Sequence, residues 1–172
     1  MPAPDRQTRC AANVQAFTPG SARPSLILLT GATGYVGSEL LKALEARKEA
    51  LDADIAGFDR GLLLVTPEYN NSIPGPFKNA IDWLSRPASD IARVFGGKPV
   101  ALMGASPGRF GTLSAQTAWL PVFRVLGLRP WFATPLYISS VHKAMDEQHR
   151  LADPDTRERL RKFLAGFAAF VG

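Results

Sequence analysis

Three short stretches carry residue types that could do chemistry: "TGATGYVG" at residues 30–37, "TPEYNNSIPG" at 66–75 and "GASPGRFG" at 104–111. In the third, Gly104, Gly108 and Gly111 remove side chains around a turn, so backbone N–H groups can approach a flat or anionic ligand. Ser106 adds a hydroxyl there, and Thr112 is placed to cap the helix that follows. In the second, Pro67 stiffens the backbone and Tyr69 offers a planar face. Asn70 and Asn71 supply short groups able to donate and accept, which suits the edge of a heteroaromatic ring. Glu68 is expected to act through its backbone rather than its carboxylate. In the first, Gly31, Gly34 and Gly37 form a G-x-x-G-x-x-G turn of the dinucleotide-binding kind, and Thr33 adds a hydroxyl. The plain alternative for each is an ordinary strand-to-helix connection that needs glycine and a cap.

The elements that position these loops are legible in the apolar pattern. "SLILLT" (25–30), "GLLLVT" (61–66) and "KPVALMG" (98–104) are continuous apolar runs, as expected for strands buried on both faces. A fourth strand is expected within "RPWFATPLYIS" (129–139). Helical spacing follows the first run in Val36, Leu40, Leu41 and Leu44. It returns in residues 76–86, opened by Pro76 and striped by Phe77, Ala80, Ile81 and Leu84. Residues 112–126 form a helix for which Pro121 predicts a kink or a late start. Residues 153–172 close the chain as an amphipathic helix with Leu160, Phe163, Leu164, Phe167 and Val171 on one side. Strand–helix alternation of this kind means a parallel sheet with helices on both faces. All three loops then leave the carboxyl edge of the sheet, where ligands bind in open α/β folds.

Composition limits the alternatives. The chain has 172 residues, 46% hydrophobic, with a formal charge of +5. This suits one domain, residues 25–172, preceded by a disordered leader at 1–24. The basic excess is that of a soluble surface and also suits anionic small molecules such as nucleotides; no Lys/Arg block marks a nucleic-acid partner. No apolar stretch reaches the length of a membrane span, and a single cysteine, Cys10, excludes an intrachain disulfide. A cytoplasmic location is the expectation. His142 and His149 would lie roughly 10 Å apart along a helix, too far to share a metal, so no metal site is expected. No Ser/His/Asp or Cys/His set marks a catalytic side chain.

Residues 61–111 resemble the NADPH-dependent FMN reductases, which include quinone, azo-dye and chromate reductases. "LLLVTPEYNNSIPGPFKNAIDWLSRP" and "GKPVALMGASPGRFG" carry the likeness, which continues more weakly through "RLADPDTRERLRKFL". The resemblance implies a flavodoxin-like three-layer α/β sandwich with a parallel sheet of four or five strands. It implies bound FMN, with Pro67, Glu68, Tyr69 and Asn70 along the flavin ring and Gly104, Ser106, Gly108 and Gly111 at its pyrimidine end. It implies hydride transfer from NADPH or NADH, through FMN, to a flavin, a quinone or a similar small-molecule acceptor. It also implies a homodimer or homotetramer, with the helix after "PEYN", and Trp83 at its edge, in dimer contacts.

The first loop departs from this family, which places "GSxR" after strand one to hold the FMN phosphate. Here Gly31-Ala32-Thr33-Gly34 stands instead and resembles the start of an extended short-chain dehydrogenase, a nucleotide-binding protein of another class. Gly31, Thr33 and Gly34 are the phosphate-binding candidates on either reading. A working short-chain dehydrogenase also wants Tyr-x-x-x-Lys, a spacing found nowhere in the chain. Between the first helix and Gly61 the chain is too short for the family's usual second strand and helix, so the first third reads as shortened. Two alternatives stand beside the flavoenzyme: an NAD(P)-binding protein without flavin, and a non-enzymatic flavodoxin-like remnant.

Overall fold

A computed structural model describes residues 15–17, 26–30, 61–147 and 151–171. Its strands are β1 (Gln15–Phe17), β2 (Leu26–Thr30), β3 (Gly61–Val65), β4 (Pro99–Ala105), β5 (Arg129–Pro130) and β6 (Leu136–Ile138). Its α-helices are α1 (Gly75–Leu84), α2 (Ile91–Val94), α3 (Leu113–Leu126) and α4 (Pro154–Val171). The parallel ladder runs β2–β3–β4, and β5 and β6 together complete it beyond β4. On the other edge β1 pairs antiparallel with β2. Gln15–Phe17 lies within the stretch expected as a leader and is a strand there. The first loop, with Gly31, Thr33 and Gly34, and the helix expected after it lie outside the described residues.

Strand side chains alternate between two apolar layers, because successive residues point to opposite faces. Leu62, Leu64, Val100 and Leu102 face a cluster built from Phe77 and Ile81 of α1, Val94 of α2, and Trp119 and Phe123 of α3. Leu63 and Ala101 face the other way, onto Phe163 and Phe167 of α4. Burial on both faces explains why β3 and β4 read as unbroken apolar runs. The result is three layers: α1 to α3, the sheet, and α4.

Two expectations change. The fourth strand is split, with β5 pairing Pro99 and Val100 and β6 pairing Met103 to Ala105. Pro130 and Pro135 flank the break, and neither can donate to a ladder. Trp131 turns out of line onto α4, its ring centroid 5.2 Å from that of Phe163. Gly166 makes room for it: a Cβ there would come within 2.7 Å of the indole. The other change is α3, which runs without interruption through Pro121. Pro121 is exposed, so water can reach the carbonyl that its missing N–H leaves unpaired.

Candidate functional site

The second and third loops meet at the carboxyl edge of the sheet. The Thr66 N–H donates to the Met103 carbonyl at 2.9 Å, which extends the β3–β4 ladder into the loop bases. Gly104 lies at the floor between them. A Cβ there would collide with the Thr66 carbonyl oxygen and the Thr112 hydroxyl, and would lie 2.9 Å from Thr112 Cγ2. Glycine is therefore required at 104 by the close approach of both loop bases. Its expected role at a ligand's edge is supplemented by this one.

Beyond Thr66, the chain folds back within four residues. Tyr69 and Ser72 exchange backbone hydrogen bonds of 3.1 and 3.0 Å. Asn70 and Asn71 have φ of 49° and 59°. Two successive left-handed residues between a bonded pair form a type I′ hairpin turn, which favours Asn because its short polar side chain tolerates that region. The two asparagines thus have a backbone reason to be there, and both side chains stand exposed at the tip.

The glycine loop is closed by its own serine. Ser106 Oγ donates to the Gly111 carbonyl at 2.7 Å and accepts from the Gly108 N–H at 3.1 Å. Gly111 has φ of 60° and abuts Tyr137, while Gly108 is open and exposed. The backbone N–H groups of Arg109 and Phe110 make no hydrogen bond among the described residues, and the Phe110 side chain is 71% exposed. Donors without a partner among the described residues, beside a glycine that removes bulk, suit the carbonyl-bearing edge of a flat heterocycle such as the pyrimidine end of FMN.

The Glu68 carboxylate, expected to matter less than the Glu68 backbone, makes a bond of its own. Its Oε2 accepts from the Ala115 N–H at 2.9 Å, across a separation of 47 residues. Thr112 occupies the N-cap position of α3 but makes no side-chain capping bond. Its hydroxyl instead accepts from Gln116 Nε2 at 2.9 Å, and the same amide donates to the Leu136 carbonyl at 3.1 Å. Beneath the loops, Trp119 Nε1 donates to Thr66 Oγ1 at 3.4 Å, and that hydroxyl donates to the Pro67 carbonyl at 2.8 Å. Thr66, Thr112 and Gln116 are all buried. Gln116 and Trp119 escaped the sequence reading. The signal was a glutamine on the otherwise apolar face shared by Ala115, Trp119 and Phe123.

A separate cavity of about 210 Å³ lies beside the split strand, between Gln116, Leu120 and Phe123 of α3 and the chain at Trp131, Phe132 and Tyr137. None of residues 66–70 or 104–111 lines it. His142 is exposed in a short 3₁₀ turn, Val141–Lys143. Among the described residues no cluster of His, Cys, Asp or Glu could hold a metal ion, and no helix is long and apolar enough to cross a membrane.

A parallel sheet with helices on both faces and two conjoined loops at its carboxyl edge defines a flavodoxin-like protein. The chain belongs to the NADPH-dependent FMN reductase family, whose sequence profile matches residues 14–143. It is 39% identical over 125 residues to a 2-hydroxy-1,4-benzoquinone reductase of a Burkholderia species, covering 73% of this chain and 64% of the relative. It is 44% identical over 110 residues to an NAD(P)H-dependent FMN reductase of Pseudomonas aeruginosa, covering 64% of this chain and 58% of the relative. The match thus spans less than two thirds of either relative's length. Among solved structures, the flavoenzyme NAD(P)H:(acceptor) oxidoreductase FerB of Paracoccus denitrificans superposes with a TM-score of 0.65 at 31% identity. That superposition covers 77% of this chain and 71% of FerB.

Proposed function

We propose that the chain is an FMN-dependent NAD(P)H oxidoreductase that passes reducing equivalents to a quinone, a flavin or a similar small acceptor. The observation that carries the proposal is that the second loop is tied to the elements on either side of the third: Thr66 bonds Met103, just before Gly104, and Glu68 bonds Ala115 in the helix after Gly111. FMN supplies reversible two-electron hydride chemistry when bound. The protein's part is to hold and orient. Pro67, Glu68, Tyr69 and Asn70 form one wall; Gly104, Ser106, Gly108 and Gly111 form the other. The N–H groups of Arg109 and Phe110 are donors for a carbonyl-bearing edge. Gly31, Thr33 and Gly34, which lie outside the described residues, are the candidates for the phosphate on the sequence alone.

The relatives named as quinone and FMN reductases support this choice of chemistry. A cytoplasmic homodimer or homotetramer belongs to the same proposal, with Trp83, 41% exposed on α1, as a candidate contact between copies. The decisive experiment is an absorbance spectrum of the purified chain before and after addition of FMN, followed by NADPH and NADH oxidation with a benzoquinone. Flavin bands, saturable FMN uptake and quinone-dependent oxidation are the expected results. A colourless protein that leaves FMN fluorescence unchanged on titration overturns the proposal.

A further inference from the structure

We infer that Glu68 is a positioning residue: its carboxylate, by capping α3 from the opposite loop, sets the gap between the two walls. The inference rests on the FMN reading for its ligand, though not for its geometry. The first N–H groups of any helix lack intrahelical acceptors. Ala115 is the third residue of α3, the place where a local N-cap side chain would normally bond. Thr112 makes no capping bond there, and its hydroxyl accepts from Gln116 Nε2 instead. The first turn of α3 also contains no acidic residue. The acceptor is supplied instead by Glu68, one residue past Pro67 and 47 residues before Ala115.

A cap drawn from a neighbouring side chain would satisfy the helix equally well. A cap drawn from the facing loop does more, because it fixes a distance between loops. The walls are already joined at the floor, where the Thr66 N–H meets the Met103 carbonyl and Gly104 lets the two bases close up. The Glu68 strap adds a second tie, from the first wall to the opening turn of α3, the helix into which the second wall leads. A tie made beyond the ladder restrains the angle between the walls as well as their spacing. The tips, residues 69–72 and 107–110, project from a frame fixed in advance, so a ligand between them would order little backbone on binding.

Three variants separate reach from charge. Glu68→Gln keeps the reach and an acceptor oxygen but loses the charge. Glu68→Asp keeps the charge but is one methylene too short. Glu68→Ala loses both. The readouts are FMN affinity from quenching of flavin fluorescence and amide hydrogen exchange along α3. Glu68→Ala and Glu68→Asp are each expected to bind FMN about tenfold more weakly, with faster exchange confined to residues 113–116. Glu68→Gln is expected to stay within roughly threefold of the parent, since a neutral acceptor keeps part of the bond. Rescue by Asp rather than Gln overturns the inference, because the charge would then act on the ligand itself. Unchanged affinity in Glu68→Ala, or exchange accelerated evenly along the whole helix, overturns it too. If the parent protein takes up no FMN, the functional proposal falls. The strap is then judged by exchange alone: local acceleration at 113–116 in Glu68→Ala supports it and unchanged rates overturn it.

Discussion

Gly104→Ala is the sharpest probe of how the loops are assembled. The added methyl would lie 2.9 Å from Thr112 Cγ2 and closer still to the Thr112 hydroxyl and the Thr66 carbonyl oxygen. Thr112 cannot simply rotate away, because its hydroxyl holds Gln116 Nε2 at 2.9 Å. The Thr66 carbonyl is backbone, anchored by the bond from its own N–H to Met103. Relief therefore requires β3 to separate from β4, or α3 to shift. Overpacking of this kind costs about 1–3 kcal/mol, and two immovable neighbours put Gly104→Ala in the upper half. At roughly 2–4 °C per kcal/mol for a chain of this size, Tm should fall by about 4–12 °C. FMN affinity should fall by about tenfold or more as the gap opens. The assays are thermal melting and a flavin fluorescence titration. Two glycines serve as controls. At Gly75 a Cβ would meet nothing within 4 Å, and at Gly108 only Ser106 Oγ at 3.4 Å. Alanine at either should leave Tm nearly unchanged. If Gly104→Ala melts and binds like the parent, the close approach of the two loop bases is not what demands glycine, and the reasoning fails.

Thr66→Val should lower stability by about 1–3 kcal/mol by leaving the buried indole N–H of Trp119 unpaired; Thr66→Ser should restore most of it, and tryptophan emission should report the difference. Asn71→Gly should be neutral or slightly stabilising, whereas Asn71→Val should cost about 1–2 kcal/mol because a β-branched residue resists the left-handed region; urea unfolding distinguishes them. At the start of α4, the Thr156 hydroxyl and then its backbone N–H, 2.8 Å from Asp153 Oδ2, hold the Asp153 carboxyl below its ordinary value of 3.8. A lowered folded value means that this contribution is present above 3.8 and lost as pH falls through the lowered one. Melting of the parent and of Asp153→Asn should therefore differ at neutral pH and converge in acid; a gap that widens in acid would contradict the assignment.

Much of this architecture could be read from local pattern. "GLLLV" and "KPVALMG" announce strands buried on both faces, and their alternate residues do line two separate apolar layers. The conjunction of "PEYNN" and "GASPGRFG" at one edge followed from strand direction alone. The split of the fourth strand was harder, because "RPWFATPLYIS" has strand-forming residues on both sides of its prolines. What divides it is Trp131 reaching Gly166 on a helix far along the chain. The Glu68 cap was illegible for the same reason: a carboxylate after a strand says nothing about a partner 47 residues later. The asparagine pair reads as ligand chemistry in the sequence, while its positive φ angles give it a turn-forming role that composition alone does not separate.

The divided strand also bears on how copies of this chain can meet. A polypeptide seeking to add itself alongside would find ladders of only two and three residues, Arg129–Pro130 and Leu136–Ile138, interrupted between them. Pro130 has no amide hydrogen to offer, and the gap breaks the register that a newcomer would need. This flank is a poor template for cross-molecular β-pairing: exposed Arg129 places a charge on it, and Arg159 already donates to the Tyr137 carbonyl at 3.0 Å.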